Sequence, residues 1–231
     1  MPFDPANRLI AAIDAPGRAE AEALIARLGG VPGWIKLGLE LFCAEGPAIV
    51  ADHVARGHRV MLDLKLHDIP ETVARATQRI AALGAGLVTV HAGGGRKMLE
   101  AAVRAAGATA VLAVTVLTSL DDADLADIGA RGPVADLVVH RAKLAVAAGC
   151  AGVVISPHEA AVVRAIAPPG FLIVTPGVRP AGGDLGDQKR VMTARAARSA
   201  GADLVVVGRP LRDAPDPAAA ARALVAELAA A

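Results

Sequence analysis

The chain has 231 residues, 54% of them hydrophobic, with 24 basic and 23 acidic residues and a formal net charge of +1; that is ample material for a core. Balanced charge, one Trp, three Phe and no Tyr exclude a basic, aromatic-studded nucleic-acid groove. The N-terminal "MPFDPANRLIAAID" lacks a basic region followed by an apolar signal core. The longest uncharged run, Ala105 to Leu120, is 16 residues, broken by Gly and Thr and short for a membrane span, so a cytoplasmic globular protein is expected.

Eight short apolar or β-branched runs follow one another, each ending in polar or Gly/Pro punctuation. In chain order they are "RLIAAID" (8–14), "WIKLGLELF" (34–42), "RVMLDLKLHD" (59–68) and "GLVTVHAGG" (86–94). The second four are "AVLAVTVLTS" (110–119), "AGVVISP" (151–157), "FLIVTPGVRP" (171–180) and "DLVVVGRPL" (203–211). Between them lie Ala/Arg/Glu/Leu-rich stretches of helical periodicity, such as "GRAEAEALIARLGG" and "RKMLEAAVRAAGA". The wide gap over 121–149 holds a short helix and then a full one, and the Ala-rich tail reads as a closing helix. Near-continuous apolar strands alternating with helices predict a parallel sheet covered by helices. Eight units favour a closed (β/α)8 TIM barrel of class α/β, one domain over 1–231, above an open doubly wound sheet. No GxGxxG follows the first strand; "DAPGRAEA" stands there instead, which disfavours a dinucleotide fold.

In such a barrel the active site lies at the C-terminal ends of the strands, and the polar residues collect there. Asp14 ends the first run, and Lys36 falls early in the second. Asp63, Lys65 and Asp68 close the third, His91 the fourth, Thr118 and Ser119 the fifth. Ser156 closes the sixth, Arg179 the seventh and Arg209 the eighth. Asp63 and Lys65 are two apart and leave the same face of the strand, while Leu62, Leu64 and Leu66 face the helices. A buried ion pair or a solvated strand would also carry these charges, but burying such a pair seldom improves on apolar packing, so a site is favoured. Lysine is scarce: only five of the 24 basic residues, at 36, 65, 97, 143 and 189. An ammonium can donate a proton to carbon where a guanidinium in effect cannot.

The other candidates weigh less. "GGG" (93–95) is read as a turn and helix start before a phosphate cradle. His91 is as well explained by a structural role as by a catalytic one, and His67 is expected to face neither functional group. His53, His58, His140 and His158 are expected at the surface. Cys43 and Cys150 have no CxxC or metal-ligand spacing and are expected as free core thiols. The helix after "DIP" is expected to open at Glu71 or Thr72.

"DLKLHDIPET" (63–72) resembles the D-x-K-x-x-D-I-P signature of the orotidine 5′-phosphate decarboxylase family. The likeness runs along the whole chain through "AAIDAP", "IKLGLELF", "VHAGGG", "AVTVLTS", "TPGVRP", "DQKRVMT" and "VVVGRPL", in that order. One departure is Glu71, where Asn is expected in many bacterial members. The resemblance implies conversion of orotidine 5′-monophosphate to UMP and CO2, the last step of de novo pyrimidine synthesis, without metal or organic cofactor. It implies that Lys65 donates the proton to C6 and that Asp63 sits by the substrate carboxylate. Lys36 and Asp68 would complete an alternating Lys–Asp–Lys–Asp array, with Asp68 and Thr72 reaching into the neighbouring subunit of a homodimer. Asp14 and Lys36 would hold ribose hydroxyls, and Thr118 would meet the pyrimidine edge, though Thr118 against Ser119 stays open. Arg179, Gln188, Gly208 and Arg209 would bind phosphate.

Two rival functions remain at this point. One is a Mg2+-dependent sugar-phosphate decarboxylase or lyase of the same barrel superfamily, which "DIP" and the Gln188 segment argue against. The other is a non-catalytic nucleotide-binding module, which would have little reason to aim Asp63 at an anionic carboxylate.

Overall fold

The computed structural model describes residues 4–130, 132–178 and 192–230. Among them, eight parallel strands close into a barrel in sequence order, each hydrogen-bonded to the next and the eighth to the first. The first half runs β1 (Leu9–Ile13), α1 (Arg18–Leu28), β2 (Trp34–Gly38), α2 (Leu39–Glu45), α3 (Ala48–Ala55), β3 (Val60–Leu66), α4 (Pro70–Ala82), β4 (Leu87–His91) and α5 (Gly95–Ala105). The second runs β5 (Ala110–Val114), α6 (Asp122–Asp127), α7 (Val134–Ala147), β6 (Gly152–Val154), α8 (Ala160–Ile166), β7 (Leu172–Thr175), α9 (Ala194–Ser199), β8 (Leu204–Val207), α10 (Arg209–Arg212) and α11 (Pro217–Ala229). Closure removes the open-sheet alternative, and the 121–149 gap holds the two expected helices.

Each strand divides its side chains between two cores. Ile10, Met61, Leu87, Leu112, Val174 and Leu204 fill the barrel interior. Leu9, Ile13, Leu37, Leu62, Val88 and Val205 pack outward against the helices. The Arg59 guanidinium lies 4.0 Å from the centre of the Trp34 ring, and Trp34 itself packs against the inner core, the favourable face-on geometry for a cation and an aromatic ring.

Several boundaries differ from the sequence reading. β2 stops at Gly38, and Leu39–Glu45 is helical, so "LELF" belongs to a helix that buries Leu41. An apolar run this short carries no length signal to separate strand from helix. The helix after β3 opens at Pro70, earlier than expected; a ring that fixes φ and lacks an N–H suits a first helical position. His53 is buried, not at the surface, because it lies on the inward face of α3 with Ile49 and Val50. Cys43 is exposed and only Cys150 is buried; burial pushes the Cys150 thiol up to about 12.

Candidate active site

β3 carries the site. Met61 occupies the inner core, and Asp63 and Lys65 continue the same inward face, while Leu64 and Leu66 pack against the outer core. The alternation expected from the sequence therefore holds, but the strand is not regular. The register with β4 steps from Leu62↔Val88 to Leu66↔Val90, so β3 carries two more residues than its neighbour over that interval. Lys65 takes φ 49°, the one non-glycine residue at positive φ among the described residues. Such a conformation costs on the order of 1 kcal/mol for a residue with a Cβ and clusters at functional sites. With its amide out of the ladder, Lys65 donates its backbone N–H to Thr89 Oγ1 at 2.9 Å.

The Lys65 ammonium reaches both oxygens of Asp63, at 3.0 and 2.9 Å. Lys36 Nζ lies 3.6 Å from Asp63 Oδ2 and 3.1 Å from Asp14 Oδ1. β2–β3 register sets this geometry: Lys36 pairs with Met61 and Gly38 with Asp63, so the Lys36 amine rises one level to meet the carboxylates. Gly38 leaves the space, since a Cβ there would stand 3.1 Å from Lys36 Nζ and 3.5 Å from Asp14 Oδ1. Burial alone would push the Asp63 carboxyl up. The charges of Lys36 and Lys65, and hydrogen bonds from Lys65 and Thr89, outweigh it and hold the group below the ordinary carboxylate range. Asp63 is thus an anion shared by two ammonium groups.

Lys36, Asp63 and Lys65 line a cavity of about 270 Å3 at the C-terminal mouth of the barrel. Its floor is apolar, from Met61, Val114, Val154 and Val206, and its far wall holds both Thr118 and Ser119. β5 ends at Val114, so those two belong to the following loop; Ser119 is the more exposed. Gly208 precedes α10, and a Cβ on it would approach Asp14 Oδ2 at 3.4 Å. Arg209 opens α10.

Not every expected residue joins this group. Asp68 is exposed and caps its own loop, accepting from Ile69 N–H at 2.6 Å, and Thr72 is exposed on α4; within one chain the array is Asp14–Lys36–Asp63–Lys65. Arg179 and Gln188 lie outside the described residues. Ser156 accepts from His158 N–H at 3.4 Å as a cap. Glu71 pairs on the surface with Arg75 at 2.8 Å, away from the matched charges. The three glycines behave as a turn and helix start. His67 stacks on His91 with ring centres 5.2 Å apart. Burial, with His67, Arg141 and Lys65 nearby, lowers His91 to about 4, so its ring is neutral.

The chain matches the orotidine 5′-phosphate decarboxylase / HUMPS family over residues 7–224. It belongs to that family. A curated relative from Anaeromyxobacter sp. (strain K), named orotidine 5′-phosphate decarboxylase, is 58% identical over 225 residues, 97% of this chain and 99% of the relative. Another of that name, from Halorhodospira halophila (strain DSM 244 / SL1), is 54% identical over 228 residues, 97% of each chain. Among solved structures, orotidine 5′-phosphate decarboxylase from Lactobacillus acidophilus superposes with a TM-score of 0.86 at 35% identity, covering 96% of this chain and 99% of that one. The sequence holds D-x-K-x-x-D-I-P over 63–70, and its first two charges face each other in the barrel mouth.

Two residues of the site escaped the sequence reading. Thr89 had a signal, since it lies two before His91 on the inward face of a strand whose other core-facing residue is Leu87. Gly38 had only its place directly after "WIKL".

Proposed function

We propose that this chain, as one domain over 1–231, decarboxylates orotidine 5′-monophosphate to UMP and CO2, the last step of UMP synthesis, in the cytoplasm. The observation that carries the reading is the Lys65 ammonium, held 2.9 Å from an Asp63 carboxylate that Lys36 also faces, on the wall of the barrel-mouth cavity. Losing CO2 from C6 leaves an electron pair in the plane of the pyrimidine, with no π system to spread it. The barrier reduction required is on the order of 20 kcal/mol. An ammonium fixed where that charge develops stabilises it without reorganising, as the largest catalytic terms do.

In the proposed reaction the bond from C6 to the carboxylate breaks and its electron pair stays on C6. Lys65 then delivers a proton from Nζ to that carbon and is reprotonated from solvent. Asp63 keeps Lys65 charged and stands by the substrate carboxylate. Asp14 and Lys36 hold the ribose hydroxyls, and Thr118 meets the pyrimidine edge. The phosphate goes to Gly208 and Arg209, which follow β8 where this fold commonly binds it, and, as the resemblance implies, to Arg179 and Gln188; glycine admits backbone N–H groups and arginine offers a two-pronged fork. Remote phosphate binding can then be expressed in the transition state.

The partner is a second copy of the chain, with Asp68 and Thr72 directed into its site to complete the Lys–Asp–Lys–Asp array. Support comes from Ile69, a large apolar side chain 66% exposed between them. No helix of the described residues is long and apolar enough to cross a membrane. The deciding assay follows the absorbance of orotidine 5′-monophosphate with and without EDTA. Loss of absorbance that persists in chelator supports the reading. Activity restricted to a sugar phosphate plus Mg2+, or nucleotide binding without turnover, overturns it.

A further inference from the structure

Thr89 is completely buried on the inward face of β4, in a barrel interior otherwise filled by residues such as Ile10, Met61 and Leu112. A hydroxyl there has to find partners or lose the free energy of its hydration. The buried threonines Thr109 and Thr115 donate to backbone carbonyls, of Ala85 and Val154. Thr89 does something different, spending both halves of its hydroxyl on the site. A lone pair accepts the Lys65 N–H at 2.9 Å, which leaves the hydrogen to point at Asp63 Oδ1, 2.8 Å away.

Those two bonds act at the irregular point of β3. One receives the amide freed where the register steps between Leu62 and Leu66 and Lys65 turns to φ 49°. The other occupies Asp63 Oδ1 while Lys36 faces Oδ2, so the carboxylate is held against rotation from both sides. We infer that Thr89 is a positioning residue for the reaction: its hydroxyl clamps the main chain of Lys65 and the side chain of Asp63 together, fixing where the Lys65 amine points. This rests on the role of Lys65 proposed above. Were Thr89 only filling space, valine, of nearly the same shape and at least equal strand preference, would serve as well.

The test compares T89V with T89S in purified full-length protein. T89V is expected to lower kcat by about 10–100-fold, as a displacement of the order of 1 Å in a reacting group can do, with KM changed by less than about threefold. T89S, which restores the hydroxyl, recovers most of the lost rate. A readout independent of turnover is the titration of the Asp63 carboxyl by 13C NMR, assigned with D63N. The charged groups around that carboxyl are Lys65 on its own strand and Lys36 on β2, with Asp14 after β1 beyond Lys36. All of them remain in T89V, so a midpoint moved upward in T89V and returned in T89S reports the clamp. A T89V enzyme of wild-type kcat and unmoved titration, or a T89S enzyme as slow as T89V, overturns the inference. If T89V does not fold, T89A against T89S applies the same criteria. If the wild type fails to turn over orotidine 5′-monophosphate, the proposed function falls, while the titration still decides the clamp.

Discussion

Lys65 Nζ reaches both carboxylate oxygens of Asp63, at 3.0 and 2.9 Å, across only two residues of chain. On a regular strand, side chains two apart run parallel and point the same way. Here the left-handed turn at Lys65 accompanies a fold-back of the ammonium onto its neighbour. The pair is a device of the irregular strand.

Lys65→Ala removes the proposed proton donor and leaves the cavity. Turnover is expected to fall by at least about 10^2-fold, as when a preorganised charge-stabilising donor is removed, while UMP still binds within about tenfold of wild type by calorimetry. An alanine variant that retains a tenth of the activity would assign proton delivery elsewhere.

Asp63→Asn is expected to destabilise more than Lys65→Ala. The Asp63 side chain is only 12% exposed and serves two ammonium groups. Neutralising it leaves Lys36 and Lys65 facing each other, at a cost of about 2–4 kcal/mol in urea unfolding. Lys65→Ala leaves Asp63 with Lys36 and costs less. The reverse order would mean that Asp63 is the strained partner.

Acid lowers stability through His91 before it reaches Asp63. The folded protein holds His91 down at about 4 against an ordinary 6.5, chiefly through burial. Below pH 6.5 the unfolded chain takes up this proton first, so stability falls between pH 6.5 and 4 and levels off below. The ring is partly solvated, which reduces a ceiling of about 3 kcal/mol to about 1–2 kcal/mol. His91→Gln is expected to flatten that window in unfolding titrations at pH 7 and 4.5. The Asp63 contribution, of opposite origin because its folded carboxyl is held down by cations, is present above pH 3.8 and goes only below it.

Ile69→Asp places a charge on the apolar residue between Asp68 and the start of α4. Sedimentation is expected to show a monomer, with activity lowered at least about tenfold because Asp68 works across the interface; a hot-spot anchor at the centre of an interface contributes about 2 kcal/mol or more. A fully active monomer would remove the partner chain from the site.

Much of this protein was written into local pattern. The alternation of β-branched runs with amphipathic stretches set the barrel, because strand and helix periods are properties of adjacent residues. The two-residue spacing of Asp63 and Lys65 put both in the barrel mouth, and the resemblance of "DLKLHDIPET" picked out the family. Short segments were harder: "LELF" became helix, and His53 and Cys43 exchanged their expected burial, since a few residues carry too little periodicity to overrule their neighbours.

What the tertiary structure alone decided is who stands across from whom. Lys36 reaches Asp63 because β2 registers Gly38 opposite Asp63, Thr89 meets both Asp63 and Lys65 because β3 slips against β4, and Asp68 stays outside its own chain's array. Parallel register joins segments more than twenty residues apart, and no spacing within either segment encodes it. The charges were therefore legible in the sequence, but their partners became so only once the barrel had closed.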